Sequence, residues 1–97
     1  MDIRIQHQPE QNRFAAVVGD DVVGIAGYER RDGVIVLTHT VVERAVEGQG
    51  VGSALARTAL DTARAEGRHV VPVCPFMDAW IRRHAQYADL VVAPPQE

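Results

Sequence analysis

The first third of the chain contains one alternating segment and two short apolar runs, which predict short β-strands. Ile3 and Ile5 have polar neighbours, the period of two expected for a strand with one buried side. Two further apolar runs, at residues 14–18 and 22–28, are separated by Gly19-Asp20-Asp21. Glycine and aspartate favour turns, so these runs predict neighbouring antiparallel strands.

The next segment predicts a tight hairpin followed by a central strand. Asp32-Gly33 is a residue pair that readily adopts the positive φ angles of a two-residue hairpin turn. Residues 34–42 are then almost continuously apolar, as expected for a strand that is covered on both faces. Regular alternation along this strand would place His39 on the same face as Leu37 and Val41.

The spacing becomes helical between residues 50 and 66. Val51, Leu55 and Ala59 recur at every fourth position, which predicts a helix with one apolar face. Gly67 is expected to end this helix. Arg57 and Asp61 are expected to form an ion pair one turn apart on its polar face.

A second strand-helix unit is predicted after Gly67. Residues 70–74 form a strand that contains Pro72, which cannot donate a ladder hydrogen bond, so the strand lies at an edge or diverges from its neighbour. Pro75 fits the first position of a helix with Cys74 at its cap. That helix has an apolar face that we expect to join the core, made up of Phe76, Met77, Trp80 and Ile81. Residues 87–92 predict a short strand and residues 93–97 a frayed tail.

Composition limits the classes of partner. We expect the 97 residues to form a single domain, 1–97, and the formal net charge of −3 argues against nucleic acid as the main partner. One cysteine allows no intrachain disulfide, which with the absence of a hydrophobic signal region predicts a cytoplasmic protein. No apolar run approaches membrane-spanning length, and no cysteine and histidine spacing indicates a metal site.

The turn between the central strand and the first helix contains three glycines at alternate positions, Gly48, Gly50 and Gly52. Unpaired N–H groups at the start of a helix, together with the helix dipole, favour a bound phosphate. A P-loop is excluded because the turn has no lysine. A Rossmann fingerprint is excluded because Ser53 stands where the third glycine is needed and residues 43–47 separate the strand from the turn.

Four segments in order give the chain a resemblance to a known family over residues 14–92. They are His39-Thr40-Val41-Val42, Gly48-Gln49-Gly50-Val51-Gly52-Ser53-Ala54-Leu55, Val71-Pro72-Val73-Cys74-Pro75-Phe76 and Arg83-His84-Ala85-Gln86-Tyr87-Ala88-Asp89-Leu90-Val91. With these segments the sequence resembles the GNAT superfamily of acyl-CoA-dependent acetyltransferases, and within it the compact YjdJ-type members. The superfamily's loop usually has Arg or Gln at the position of Glu47, which here places a carboxylate beside the phosphates.

The resemblance implies a mixed α+β fold: a mostly antiparallel twisted sheet, a splayed parallel strand pair and two main helices. Acetyl-CoA would lie where the parallel strands separate. The backbone near Val41 and Val42 would bind its pantetheine arm and thioester. The residues implied in binding its pyrophosphate are Gly48, Gln49, Gly50, Val51, Gly52 and Ser53.

The implied activity is transfer of an acetyl group from acetyl-CoA to an amine by direct attack, with no metal. The acceptor amine belongs either to a small molecule or to a protein. The alternative to this activity is a non-catalytic module that binds or senses CoA. Cys74 is a candidate acyl carrier or general acid, or a packing residue. His39 is a candidate general base or a core histidine. Tyr87 is a further candidate general acid, because relatives use a tyrosine in this part of the chain.

Overall fold

A five-stranded sheet forms the centre of the molecule in the computed structural model, which describes residues 2–94. The strands are β1 (Arg4–Gln8), β2 (Arg13–Val18), β3 (Asp21–Arg31), β4 (Val34–Val42) and β5 (Val70–Pro72). The helices are α1 (Val51–Ala65) and α2 (Pro75–Arg82), with 3₁₀ turns at Pro9–Gln11, Arg44–Val46 and Ala85–Leu90. The strands lie in chain order, antiparallel from β1 to β4 and parallel between β4 and β5. The predicted mixed sheet with two main helices is confirmed.

Local sequence accounts for most element boundaries. Asp32 and Gly33 both have positive φ, 48° and 81°, as the predicted hairpin turn requires. Gly67, with a φ of 68°, follows the end of α1, and Pro75 begins α2 with Cys74 at its cap. The predicted helix ends and hairpin are therefore confirmed.

Both helices pack on one face of the sheet. The core contains apolar residues of α1 and α2 together with strand residues that face them, such as Phe14, Ala26 and Leu37. Its largest fully buried side chain is Trp80 of α2. The opposite face carries Ala15, Ile25, Val36, Val41 and their neighbours, and no helix of residues 2–94 covers it; we call this the helix-free face.

A β-bulge in β4 changes which face His39 occupies. Gly27 pairs with His39, whereas Tyr28 pairs with Leu37, so Thr38 is an extra residue in β4. Leu37 therefore points into the core with Tyr28, and His39 lies on the helix-free face with Val41. The prediction that His39 and Leu37 share a face was wrong, because it assumed uninterrupted alternation.

β5 is a short edge strand that separates from β4 soon after pairing with it. Pairing covers only Ile35 to Leu37 of β4, and the Cys74 N–H then donates to the Leu37 carbonyl at 2.9 Å. β4 continues to Val42 without a partner on that side. Pro72 occurs at the last paired position, so both parts of the prediction for this strand are confirmed.

The predicted strand at residues 87–92 was wrong. The chain forms the 3₁₀ turn Ala85–Leu90, and only Val91 makes an isolated bridge to Val70. Tyr87 and Leu90 are both buried, and a spacing of three brings two side chains to the same side of a 3₁₀ turn but to opposite sides of a strand. The predicted frayed tail, residues 93–97, lies partly outside the described residues.

Candidate active site

A cavity of ≈ 370 Å³ lies between the unpaired end of β4 and the start of α1. Its walls come from β4, the glycine turn, the first turn of α1 and the start of α2. The lining residues are Thr40, Val42, Val46, Glu47, Gly48, Gly50, Val51, Gly52, Ser53 and Phe76. The cavity therefore forms where β4 and β5 separate.

Two glycines in the turn are required by backbone conformation. Gly48 and Gly50 have φ angles of 81° and 83°, in the left-handed region that side chains disfavour. No atom would contact a Cβ at either position, so space does not explain them. They redirect the chain from the 3₁₀ turn Arg44–Val46 into α1.

The start of α1 presents unpaired N–H donors to the cavity. The first helical hydrogen bond runs from the Ala54 N–H to the Gly50 carbonyl at 3.0 Å. The N–H groups of Val51, Gly52 and Ser53 precede it and have no helical acceptor, and no side chain caps this end. Three converging donors and the positive end of the dipole of a 15-residue helix make this wall suitable for an anion.

Ser53 adds a fourth donor because Trp80 holds its hydroxyl. The Trp80 indole Nε1–H donates to Ser53 Oγ at 3.0 Å. Since an indole N–H can only donate, the serine hydrogen remains available for another acceptor. Trp80 is only 1% exposed, so its position is fixed by the core. Ser53 can therefore direct its O–H into the cavity that it lines.

Phe76 forms a wall of the cavity instead of joining the core. It is 37% exposed, whereas Met77, Trp80 and Ile81 of the same helix are buried. The core prediction was right for those three residues and wrong for Phe76. The first turn of α2 extends past the core towards α1, where the absence of a side chain at Gly52 leaves room for the Phe76 ring.

The end of β4 presents backbone groups to the cavity from one side. The Glu43 N–H donates to the Val23 carbonyl of β3 at 2.8 Å. Backbone groups alternate along a strand, so those of Val41 also face β3, while those of Thr40 and Val42 face the gap left by β5. The Val41 side chain is 56% exposed on the helix-free face.

Cys74 does not line the cavity, but it forms a hydrogen bond with Thr40, which does. The Cys74 thiol is only 3% exposed, and its S–H donates to Thr40 Oγ1 at 3.4 Å. Thr40 lines the cavity, whereas Cys74 does not. Because the threonine oxygen accepts from the thiol, its own hydrogen can be donated into the cavity.

His39 lies on the other side of the same strand. Its imidazole packs over Gly27, in the space that a Cβ would fill, and its Nδ1 lies 2.9 Å from Thr38 Oγ1. The side chain is exposed on the helix-free face. His39 and Cys74 therefore flank the end of β4 from opposite faces and do not meet.

Tyr87 does not reach the cavity. Its hydroxyl donates to Asp61 Oδ1 at 2.7 Å, across the contact between the last 3₁₀ turn and α1. Burial raises the pKa of Tyr87, the Asp61 carboxylate raises it further, and Arg57 opposes the rise. The predicted Arg57–Asp61 ion pair is absent from the described residues, because Asp61 accepts from Tyr87 and Arg57 lies over the Trp80 ring at 5.4 Å.

The structure brings together only some of the residues that the sequence indicated. Val41, Gln49, Cys74 and His39 do not line the cavity. The indicated residues that do line it are Val42, Gly48, Gly50, Val51, Gly52 and Ser53. Sequence analysis assigned no site role to Thr40, Val46 or Phe76. Thr40 carries a hydroxyl within a largely apolar strand, but Thr38 carries the same signal, so the sequence does not single out Thr40.

Metal and membrane features are absent from the part of the chain that the structure describes. Within residues 2–94, no three His, Cys, Asp or Glu side chains are grouped closely enough to bind a metal ion. No helix in this range has both the length and the apolar character needed to cross a bilayer.

A family model and a solved structure that resemble this chain are both described as N-acetyltransferases related to GCN5. Residues 13–90 match the family model described as GCN5-related N-acetyl-transferase. The chain is also similar to an NMR solution structure of a Staphylococcus aureus protein, described as a GCN5-like candidate N-acetyltransferase. The two share 24% sequence identity over 97% of this chain and 92% of that chain, with a TM-score of 0.74, which shows a common fold. No curated protein matches the chain.

Proposed function

Because the chain belongs to the GCN5-related N-acetyltransferase family, we propose that its cavity binds acetyl-CoA and that it transfers the acetyl group to an amine. The observation that carries this proposal is the uncapped start of α1, whose N–H groups line a cavity at the point where β4 and β5 separate. Placement among the compact YjdJ-type members stays a prediction. We also propose a cytoplasmic location, because the single cysteine is a free thiol, as is usual in reducing compartments.

The chemistry of the walls fits the parts of acetyl-CoA. The N–H groups of Val51, Gly52 and Ser53, with the Ser53 hydroxyl, suit the two negative charges of the pyrophosphate. The backbone groups of Thr40 and Val42 suit the amide-containing pantetheine arm, which can pair with them as a short strand does. Gln49 is part of the same turn, but its N–H donates to the Val46 carbonyl at 3.3 Å, so we assign it no phosphate contact. Val41 is not assigned a contact with acetyl-CoA, because its backbone groups face β3 and its side chain lies on the helix-free face.

The proposed reaction is direct attack of a neutral amine on the thioester carbonyl carbon. The new N–C bond forms as the C–S bond breaks, and the CoA thiolate leaves with the electron pair. We assign the proton for this thiolate to the Thr40 hydroxyl, which Cys74 resupplies through their hydrogen bond. We assign the proton lost by the amine to His39, which requires the acceptor to approach from the helix-free face. The acceptor is a small amine or a protein amino group.

A non-catalytic CoA-binding module is the second candidate. The observation in its favour is that Cys74 is buried and His39 lies on the opposite face, so the two proton-transfer candidates do not converge. Glu47 also adds a negative charge to the cavity lining. Such a module would bind CoA and acetyl-CoA without consuming the thioester.

Calorimetric titration with acetyl-CoA, followed by chromatographic assay of acetyl-CoA consumption with a panel of amines, tests the proposal. We expect saturable binding and amine-dependent release of CoA. Gly50→Glu adds a carboxylate to the cavity lining and should abolish both signals, whereas the matched variant Gly50→Asn, which places an uncharged side chain on the same left-handed backbone, should keep them. Binding without consumption across the panel would favour the module, and no binding at millimolar acetyl-CoA would contradict both candidates.

A further inference from the structure

Trp80 contacts both Ser53, which lines the cavity, and Arg57, which does not. The indole Nε1–H bonds to Ser53 Oγ at 3.0 Å, and the Arg57 guanidinium carbon lies 5.4 Å from the centre of the same ring. Ser53 and Arg57 are four residues apart on α1, so they lie on the same side of the helix about one turn, or about 5.4 Å, apart. Arg57 therefore lies on the same side of α1 as Ser53, one turn beyond the cavity wall that carries the phosphate donors, and its guanidinium also lies near enough to the Tyr87 hydroxyl to lower the pKa of Tyr87.

The indole that supports Arg57 is itself held firmly. His84 stacks on the Trp80 ring with 3.6 Å between ring centroids and an interplanar angle of 8°. The His84 Nδ1–H also donates to the Trp80 carbonyl at 2.7 Å. A cation over an aromatic face is attracted by the ring quadrupole, so a fixed indole restricts where the guanidinium can lie.

Arg57 has no anionic partner among the described residues. Arg64 pairs with Asp89 and Arg82 pairs with Asp78, but no carboxylate of residues 2–94 forms an ion pair with Arg57. Asp61, one turn further along α1, accepts a hydrogen bond from Tyr87 instead. The Arg57 side chain is exposed and can therefore contact an anion that approaches from solvent.

Coenzyme A has a further anionic group that a cation such as Arg57 suits. Besides the pyrophosphate it carries a phosphate on the adenosine ribose, and the N–H groups at the start of α1 account for the pyrophosphate alone. Glu47 is the only charged side chain between residues 47 and 53, so the turn itself supplies no cation. A planar guanidinium suits a phosphate because it can donate two parallel hydrogen bonds.

We propose that Arg57, held over Trp80, binds the ribose 3′-phosphate and makes the protein prefer coenzyme A to 3′-dephospho-CoA. This inference rests on the proposed function, because it concerns the same bound ligand. It assigns a specificity role to Arg57, which neither the loop motif nor the cavity lining includes. The interaction is exposed to solvent and weakens as salt screens the charges.

Calorimetric dissociation constants for CoA and 3′-dephospho-CoA test the inference. We expect the wild-type protein to bind CoA about fivefold more tightly, the upper range for an exposed charge pair. Arg57→Gln should bring this ratio close to one while leaving the affinity for 3′-dephospho-CoA unchanged. Arg31→Gln is the matched control, because it removes the same charge at the β3–β4 hairpin and should keep the wild-type ratio.

The outcomes separate this inference from the proposed function. An unchanged ratio in Arg57→Gln would overturn the role of Arg57 while leaving CoA binding intact. Equal weakening of both ligands would also overturn it, because Arg57 would then act on the pyrophosphate or on the fold. If the wild-type protein bound neither ligand, the proposed function would fail and this inference with it. Raising the salt concentration should lower the wild-type ratio and leave that of Arg57→Gln unmoved.

Discussion

The Phe76 ring occupies the space that a side chain at Gly52 would fill. A Cβ at Gly52 would lie 2.8 Å from Phe76 Cζ, closer than such atoms approach in proteins, and 3.3 Å from Cε1, which is a tight contact. The two residues come from the first turns of α1 and α2, and both line the cavity. One wall of the proposed acetyl-CoA site therefore depends on the absence of a side chain at Gly52.

We predict that Gly52→Ala weakens acetyl-CoA binding without destabilising the protein. Alanine favours a helix by about 1 kcal/mol over glycine, and the tip of the part-exposed Phe76 ring can move aside, so the free energy of unfolding should hold or rise. The displaced ring should raise the acetyl-CoA dissociation constant about tenfold, or about 1.4 kcal/mol, measured by calorimetry.

The control for this prediction is the double variant Gly52→Ala with Phe76→Leu. A leucine is shorter than phenylalanine and should leave room for the new methyl group. Part of the lost affinity should then return relative to Gly52→Ala alone. Wild-type affinity in Gly52→Ala would show that the ring position does not matter for binding.

We predict that Gly50 is required for its backbone conformation and not for space. Gly50→Ala should lower the free energy of unfolding by about 1–2 kcal/mol, the cost of a left-handed conformation with a Cβ. Gly50→Asn should cost less, because asparagine tolerates this conformation better. Urea denaturation measures both changes. Equal stability of the alanine variant and the wild-type protein would contradict the prediction.

We predict that Cys74 assists catalysis only through Thr40. Thr40→Val keeps the side-chain shape but removes the hydroxyl, and it should lower kcat by about 10²-fold, as expected for a lost proton donor. Cys74→Ala should also lower kcat in the wild-type background, but it should cause no further loss when combined with Thr40→Val. Steady-state kinetics of the three variants measures the coupling.

Cys74→Ser is the control for this pair, because a hydroxyl can also donate to Thr40 Oγ1. It should keep more activity than Cys74→Ala at equal folded content, measured by circular dichroism. Full activity in Cys74→Ala would remove the thiol from the mechanism and leave it as a packing residue.

We predict that His39 sets the pH dependence of transfer. A general base must be neutral to accept the amine proton, so kcat/KM of the wild-type protein should rise with pH. His39→Gln should lower kcat/KM and remove this rise, while acetyl-CoA affinity stays unchanged. The same pH profile in both proteins would assign the proton transfer to another group.

The elements set by local sequence were predictable. The bounds of the strand at residues 34–42, the hairpin at Asp32-Gly33 and the helix that follows Gly50 agree with the structure. The expectation that this strand is covered on both faces was wrong, because His39 and Val41 are exposed on the helix-free face. In each case the signal lies within a few neighbouring residues: an apolar run, a residue pair that favours positive φ, or apolar residues at every fourth position. The glycine turn was also found in this way, and most of its residues line the cavity.

The features that depend on pairing between distant segments could not be predicted from local patterns. The bulge at Thr38 arises from the register between β3 and β4, and it moves His39 to the other face. Phe76 and Trp80 share a helix face in the sequence pattern, but only the approach of α2 to α1 decides that one ring lines the cavity and the other is buried. The contact of Arg57 with Trp80 depends on the same packing.

An NMR titration with acetyl-CoA, followed through the backbone amide signals, tests the proposed site most directly. The proposal predicts saturable shifts for the amides at the start of α1, Val51, Gly52 and Ser53, and for those of Gly48 and Gly50. The amides of the β3–β4 hairpin at Asp32 and Gly33 should not move. Shifts confined to the hairpin or to the helix-free face, or no shifts at millimolar acetyl-CoA, would contradict the proposed site.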